Sequence, residues 1–130
     1  IDGVLIQEMV DVRGVETIIG VSQEPPFGPA VLFGLGGIFV EVMADVSIRV
    51  LPASATVLRV MISEIRGYKI LQGARGSSPA DIEAVFQSLV RVACLVSEFP
   101  QSIREIDINP FIVMEKGKGA RAVDALISLA

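Results

Sequence analysis

Three oxygen-bearing side chains near the end of the chain have the type and spacing of a cation site. Side chains alternate between the two faces of a strand, so Asp107 and Asn109 share one face here, and Ile106 and Ile108 share the other. Asp124 follows Asn109 by 15 residues, beyond a glycine-rich turn. Carboxylate and amide oxygens suit a hard cation such as Mg²⁺, which takes its remaining ligands from water and phosphate.

The glycine-rich turn predicts how these side chains meet. If it is centred between Lys116 and Gly117, Asn109 lies directly opposite Asp124, and opposed residues share a face with Cβ atoms roughly 5 Å apart. Asp107 would then lie about two residues along the strand. Two alternatives stay open on spacing alone. The residues could be the solvent side of an edge hairpin, or a one-residue shift in register could separate the pair.

A second glycine-rich segment contains Gly34, Gly36 and Gly37 after a short apolar run, a composition that occurs in phosphate cradles. A Rossmann or Walker loop opens into a helix, whereas residues 38–42 predict a strand, and no Gly-Lys-Ser/Thr follows. The segment is therefore either a loop near a phosphoryl group or a tight turn where two backbones approach closely.

Composition limits the chemistry of this chain. It has no histidine, which removes the commonest general base, the usual zinc ligand and any phosphohistidine. Its one cysteine, Cys94, permits neither a disulfide framework nor a cysteine zinc site, and we expect it in the core. A net charge of −4 with scattered cations argues against a nucleic-acid surface.

The length of 130 residues predicts a single domain spanning residues 1–130, with its own core. Apolar residues make up 52% of the chain, but no stretch reaches the ~18 uninterrupted apolar residues of a membrane helix, and no signal peptide is recognisable. The apolar content fits a buried sheet or a surface that meets other parts of a larger protein. We expect a cytoplasmic location and, because the first residue is Ile1, a piece of a longer protein.

Most of the predicted elements are strands. Apolar runs at 4–10 and 15–21, joined by a turn at 11–14, predict a first hairpin, and the three prolines of 22–29 predict a loop. Further strands are predicted at these ranges: 30–33, 38–42, 46–50, 103–114 and 120–126.

Two segments have the pattern of helices, the first at 54–66. The second is predicted to take Ser78 as its N-cap and Pro79 as its first residue, with Asp81 at the positive helix start, and to end before Pro100. Its apolar stripe has helical spacing: Ile82, Val85, Phe86, Leu89, Val92, Ala93 and Val96. Together these elements predict an α+β fold, with two main helices on a largely antiparallel sheet.

Three motifs in combination resemble a known family: LIQEMV at 5–10, FGPAVLFGLGGIFVE at 27–41, and EIDINP at 105–110 followed by AVDA at 122–125. Over nearly the whole chain they resemble the ATP-grasp region of ADP-forming acetyl-CoA synthetases and, more distantly, the β subunit of succinyl-CoA synthetase. The resemblance implies the C-terminal subdomain of an ATP-grasp unit. It also implies an enzyme that interconverts acyl-CoA, ADP and phosphate with acid, CoA and ATP, through an acyl phosphate and a mobile phosphohistidine.

The resemblance implies that Asn109 and Asp124 are Mg²⁺ ligands, with Asp107 as a secondary or water-mediated ligand. It places Gly36 and Gly37 near the incoming phosphohistidine. The assignment of Asn109 and Asp124 agrees with the hairpin geometry, which depends only on the turn and the strand period.

The same resemblance implies a nucleotide site, for ATP and ADP or for GTP and GDP. Glu8, Met9 and Val10 match the hinge segment whose backbone contacts the adenine, and Glu16 matches a ribose-binding carboxylate. Without the resemblance, Glu8 would be interpreted as a solvated strand end and Glu16 as a charge on an edge strand.

The implied partners lie outside this chain. They are an N-terminal ATP-grasp subdomain with a phosphate-binding lysine, a CoA-binding part and a part that carries the phosphohistidine. We expect the isolated chain to have no synthetase activity and only weak nucleotide affinity. Two alternatives stay open: a regulatory region of a protein acetyltransferase, and a subunit-interaction module with an apolar docking surface. The residues identify neither the acid nor the nucleotide base.

Overall fold

The fold is a six-stranded antiparallel sheet with helices packed on one face, as seen in a computed structural model that describes residues 2–10, 13–37 and 43–130. The strands are β1 (Val15–Glu24), β2 (Gly28–Leu35), β3 (Val46–Val50), β4 (Ile103–Val113), β5 (Ala120–Ala122) and β6 (Ala125–Leu129). The helices are α1 (Ala55–Glu64), α2 (Tyr68–Leu71) and α3 (Ile82–Glu98), with a 3-10 turn at Ala74–Gly76. This confirms the predicted α+β class.

The sheet order places the first strand in the middle of the sheet and the last strand at one edge. It runs β3-β2-β1-β4-β5, and β6 pairs with β4 beyond the end of β5. β5 and β6 are therefore two parts of one interrupted strand, where the sequence predicted a single strand at 120–126. Long β1 and β4 lie side by side in the middle, so residues distant in sequence become neighbours across the sheet.

One sheet face forms the core with α1 and α3. Ile19, Phe33 and Ile106 point into it, and each is at most 3% exposed. The predicted apolar stripe of α3 is confirmed by its buried residues: Val85, Phe86, Leu89, Ala93 and Val96. The alternate strand residues point to the opposite face, which the helices do not cover; we call it the open face.

Cys94 is exposed, so its predicted core position is wrong. It follows the buried Ala93 by one residue, and one residue turns a helix by about 100°. That rotation carries the thiol away from the apolar stripe.

The start of α3 also differs from the prediction. Asp81, not Ser78, is its N-cap, and the Asp81 carboxylate accepts a hydrogen bond of 3.1 Å from the Ala84 N–H. Pro79 therefore lies before the helix, where its carbonyl accepts a bond from the Lys116 N–H. Either Ser or Asp can cap a helix, and the backbone pairing of 79–81 with the hairpin turn decides between them.

The predicted strand at 4–10 does not form. No residue of 2–10 belongs to a strand, and Val4, Leu5 and Ile6 are more than 80% exposed. An apolar run forms a strand only where it can pair with a neighbouring strand and bury one face. Among the described residues, nothing pairs with this run or buries it. The predicted first hairpin is therefore wrong as well. Residues 11–12 of its turn, and the strand predicted at 38–42, lie outside the described residues.

The loop predicted at 22–29 is shorter than expected. β1 continues to Glu24 and β2 begins at Gly28, so only 25–27 form the turn. Pro29 pairs with Gln23 inside the ladder. A proline at the beginning of a strand is tolerated because a missing N–H there interrupts little of the ladder.

Within the described residues, no helix is both long and apolar enough to span a membrane.

Candidate functional site

Asn109 and Asp124 lie directly opposite each other on the last hairpin. The Asn109 N–H donates a hydrogen bond of 3.1 Å to the Asp124 carbonyl oxygen, and both residues are exposed. The ladder pairs on either side share the same register: Phe111 with Ala122, and Ile108 with Ala125. The register predicted from the turn is therefore confirmed, and it places the two side chains on the open face.

A β-bulge shapes this position. Thr17 of β1 pairs with Phe111 and Ile19 pairs with Ile108, so the single residue between them on β1 faces both Asn109 and Pro110. The Thr17 hydroxyl donates a 2.7 Å hydrogen bond to the Phe111 carbonyl and ties the irregular ladder together. Bulges redirect side chains, and they are frequent beside functional sites.

Asp107 lies on the same face, two residues before Asn109. It pairs with Leu126 of β6 on one side and with Gly20 of β1 on the other, and its side chain is exposed. Gly20 has no side chain, so β1 presents no side chain directly beside Asp107. Where the structure describes the chain, no three His, Cys, Asp or Glu side chains cluster tightly enough to hold a metal. The three predicted ligands supply two carboxylates and one amide, and an ion there would take its further ligands from water or phosphate.

Glu16 and the glycine segment meet one row further along the open face. The Gly36 N–H donates a 2.8 Å hydrogen bond to the Glu16 carbonyl. Gly37 has a φ of +63° and lies so close to Glu16 that an added Cβ would be 3.4 Å from its Oε2 atom. The left-handed φ and the close approach account for glycine here. Of the two interpretations left open, this geometry favours a close backbone approach, and it leaves the Glu16 carboxylate exposed beside the loop.

The predicted hinge residues Glu8, Met9 and Val10 line a cavity of about 200 Å³ at the end of the last hairpin. Its other walls come from residues that sequence reasoning did not assign: Met114, Lys118 and Arg121. Lys118 lies in the predicted turn and Met114 and Arg121 lie beside it, so the signal that could have identified them was their position at this turn and not a motif.

Charge at this turn is partly paired. Lys118 Nζ lies 2.5 Å from Glu115 Oε2, and this hydrogen bond lowers the pKa of Glu115 from its ordinary value. Arg121 is exposed and its guanidinium donates to the Ala120 carbonyl at 3.0 Å. The cavity thus combines the apolar Met114 side chain with two cations and the Glu8 carboxylate.

The predicted site residues thus occupy one region. Across the sheet, one row holds Gly36, Glu16 and Arg121, and the adjacent row holds Asn109 and Asp124. The strand period places consecutive open-face rows roughly 7 Å apart. Glu16, Arg121, Asn109 and Asp124 are all exposed.

Comparison with known proteins decides the family. The family model for the ATP-grasp domain matches residues 1–129. The chain belongs to the ATP-grasp domain family.

Relatives of this ATP-grasp chain are named as ligases. The β subunit of acetate–CoA ligase (ADP-forming) II from Pyrococcus furiosus is 51% identical over 98% of this chain, and 4-hydroxybutyrate–CoA ligase (ADP-forming) from Nitrosopumilus maritimus is 47% identical over 99%. The chain spans 53% of the first protein and 18% of the second, so it corresponds to a part of each.

Solved structures share the fold. A Pyrococcus horikoshii protein superposes with a TM-score of 0.88 at 47% identity, covering 94% of this chain and 51% of that chain. Acetyl-coenzyme A synthetase 1 of Candidatus Korarchaeum cryptofilum, solved with coenzyme A and Mg-AMPPCP, superposes with a TM-score of 0.82 at 47% identity. That match covers 90% of this chain and 54% of that chain, whose phosphohistidine segment is described as pointing towards the nucleotide-binding site.

Proposed function

We propose that this chain is the nucleotide- and Mg²⁺-binding C-terminal subdomain of the ATP-grasp unit of an ADP-forming acyl-CoA synthetase. The whole enzyme interconverts acyl-CoA, ADP and phosphate with the free acid, CoA and ATP. Family membership supports this role, and so do relatives named as ADP-forming CoA ligases. The same names favour a synthetase over a regulatory region of an acetyltransferase.

The observation that carries the proposal is the Asn109–Asp124 pair on the open face. Its amide and carboxylate oxygens would hold Mg²⁺, and Asp107 would act through a water or as a further ligand. An ion bound there would neutralise negative charge on the phosphate oxygens of the nucleotide. The hairpin contributes by keeping the two ligands opposite each other before the ion arrives, which avoids reorganisation during transfer.

Glu16 and the hinge segment would bind the nucleoside part. The cavity between Glu8–Val10 and Met114 lies at the turn end of the sheet, and one strand, β4, separates Glu16 from Arg121. The adenine would occupy the cavity, with backbone groups of Met9 and Val10 as its contacts, and the ribose hydroxyls would donate to the Glu16 carboxylate. Mg²⁺-bound phosphates would then extend towards Asn109.

The phosphoryl group must arrive from outside this chain, because the chain has no histidine. Gly36 and Gly37 pack closely against Glu16, and the phosphohistidine would approach beside this loop. We infer that a phosphohistidine-bearing part, a CoA-binding part and an N-terminal ATP-grasp subdomain complete the site. The isolated chain is therefore expected to be inactive.

The test is thermal unfolding of the complete enzyme and of this chain with Mg²⁺ and ADP or ATP. A ligand that binds only the folded state raises the unfolding temperature. We expect a Mg²⁺-dependent rise in the complete enzyme that the Asn109→Ala, Asp124→Ala double variant loses. Glu105→Ala is the matched control, since this exposed carboxylate lies on β4 four residues before Asn109.

A rise that survives in the double variant would place the ion elsewhere and contradict the proposal. Absence of any nucleotide effect in the complete enzyme would instead favour the subunit-interaction module. Acid-dependent CoA thioester formation from ATP by the complete enzyme, and its absence in the isolated chain, would complete the assignment.

A further inference from the structure

Asp81 does more than cap α3. Its side chain is buried, with 9% of the residue exposed, and the carboxylate accepts three backbone hydrogen bonds. One oxygen, Oδ1, accepts from the Ala84 N–H at 3.1 Å, which is the cap. The other, Oδ2, accepts from Gly117 and Gly119, each at 2.9 Å. An N-cap needs only the first bond.

The two glycine donors define the last hairpin turn. Gly117 has a φ of +84° and Gly119 a φ of +79°, so both residues use the left-handed region that favours glycine. This conformation directs two N–H groups onto the same carboxylate oxygen. The turn is therefore held by a side chain from a helix start that lies 36 residues before Gly117.

Backbone pairing reinforces the attachment. The Asp81 N–H donates to the Met114 carbonyl at 2.8 Å, and the Lys116 N–H donates to the Pro79 carbonyl at 2.8 Å. Ala80 and Glu115 form an antiparallel bridge. The segment before α3 thus pairs with the hairpin turn through one bridge, and the Asp81 carboxylate adds two side-chain bonds to the backbone of the turn.

The turn determines which residues oppose each other along β4. The same register runs from Val113 opposite Ala120 to Ile108 opposite Ala125. A shift of one residue would place Val123 or Ala125 opposite Asn109 in the position of Asp124, and an apolar side chain cannot bind a cation.

We propose that Asp81 is a positioning residue for the Mg²⁺–nucleotide site: by holding the Gly117–Gly119 turn, it fixes the register that opposes Asn109 to Asp124. This role rests on the proposed function. The Asp81 carboxylate accepts its hydrogen bonds from Ala84, Gly117 and Gly119, and not from Asn109 or Asp124. The same turn carries Lys118 and follows Met114, so its position also shapes the cavity beside Glu8–Val10.

Asp81→Asn tests this role in the complete enzyme. Asparagine is as good an N-cap as aspartate, so its oxygen preserves the bond to Ala84. Its NH₂ group replaces Oδ2 and faces the Gly117 and Gly119 donors, which removes the attachment of the turn. We expect the Kd for Mg-ADP, measured by calorimetry, to rise by about tenfold or more, as for other residues that orient metal ligands.

Two variants separate positioning from general stability. Ser54→Ala removes the N-cap of α1, which is remote from the hairpin, and should lower the unfolding temperature without changing the Kd. Gly119→Ala leaves Asp81 intact but opposes the left-handed turn, and nothing lies within 3.7 Å of the added Cβ. It should raise the Kd in the same way as Asp81→Asn, with little further increase in the double variant.

The outcomes are distinguishable. If Mg-ADP binds the unchanged enzyme and Asp81→Asn binds it equally well, the positioning role is wrong and the proposed function stands. If the unchanged enzyme does not bind Mg-ADP, both are overturned. If Asp81→Asn does not fold, Gly119→Ala decides, and an unchanged Kd in that variant overturns the positioning role. Cross-strand nuclear Overhauser effects between Phe111 and Ala122 report the register directly, and their loss in Asp81→Asn is expected.

Discussion

The Asn109 N–H donates a hydrogen bond of 3.1 Å to the Asp124 carbonyl, and this contact joins two places where regular strand pairing is interrupted. Asn109 lies in the bulge against β1, and Asp124 lies in the gap between β5 and β6. Irregular backbone on both strands lets the two polar side chains share the open face while the strands around them keep one register.

Loss of Asp124 should cost more Mg²⁺ affinity than loss of Asp107. In the proposed site Asp124 would be a direct ligand and Asp107 would act through a water, so we expect a loss of about tenfold for Asp107→Ala and more than about 100-fold for Asp124→Ala. Mg²⁺ titrations of the nucleotide-dependent unfolding temperature in the complete enzyme measure both. Equal losses of Mg²⁺ affinity in the two variants would indicate that Asp107 is a direct ligand. The control Glu105→Ala should leave the Mg²⁺ affinity unchanged.

Glu16→Gln should weaken nucleotide binding while leaving Mg²⁺ dependence intact. The variant keeps the shape of the side chain but removes the charge that strengthens a bond from a ribose hydroxyl, and such bonds are worth about 1.5–3 kcal/mol. We therefore expect the Kd for ADP, measured by calorimetry at saturating Mg²⁺, to rise roughly tenfold or more. Glu24→Gln, on the same strand and exposed, is the control. An unchanged Kd would show that Glu16 does not contact the ribose.

Acid should remove the stability that Asp81 contributes. Hydrogen bonds from the Gly119 N–H, and then from Ala84 and Gly117, lower the pKa of Asp81 against the opposing effect of burial. A lowered folded-state pKa means that the contribution is complete above the unfolded-state pKa of about 3.9 and is lost as the pH falls through the folded-state value. The difference in free energy of unfolding between the unchanged chain and Asp81→Asn should be large near neutral pH and shrink below about pH 4. Urea unfolding at both pH values measures it, and a difference independent of pH would contradict this origin.

Gly67→Ala should destabilise the fold although its backbone conformation is ordinary. The added Cβ would lie 2.1 Å from Leu35 Cδ1 and 3.0 Å from Asp45 Oδ2. Leu35 is 1% exposed and cannot swing away, and the Asp45 carboxylate is held by the N–H groups of Arg66 and Gly67. We expect a loss of about 1–3 kcal/mol in urea unfolding. Gly3→Ala, with nothing within 4 Å of the new Cβ, should be neutral.

Local patterns predicted the last hairpin well. Alternation assigned Asp107 and Asn109 to one face of β4, and a glycine-rich turn set the register that opposes Asn109 to Asp124. Both signals act over neighbouring residues, where turn geometry and the two-residue period of a strand leave few arrangements. The stripe of α3 was predictable for the same reason.

Sequence patterns gave wrong predictions where pairing with a distant segment of the chain determines the structure. The run at 4–10 has strand composition but no neighbouring strand among the described residues, and Ser78 has cap chemistry but lies outside the helix. Pro29 belongs to the β1–β2 ladder because it lies at the beginning of β2, where it pairs with Gln23 of β1. In each case the local preference was real, and tertiary pairing overrode it.

The sequence by itself predicted which oxygen ligands pair across the last hairpin, because a glycine-rich turn and alternation along two adjoining strands are local signals. Only the tertiary structure decided that Glu16 lies against Gly37 and that Asp81 anchors the turn at Gly117 and Gly119. Those contacts join segments separated by 20 to 40 residues, through sheet order and helix packing that no local pattern encodes. The core buried between the sheet and α3 supplies the free energy that holds them together.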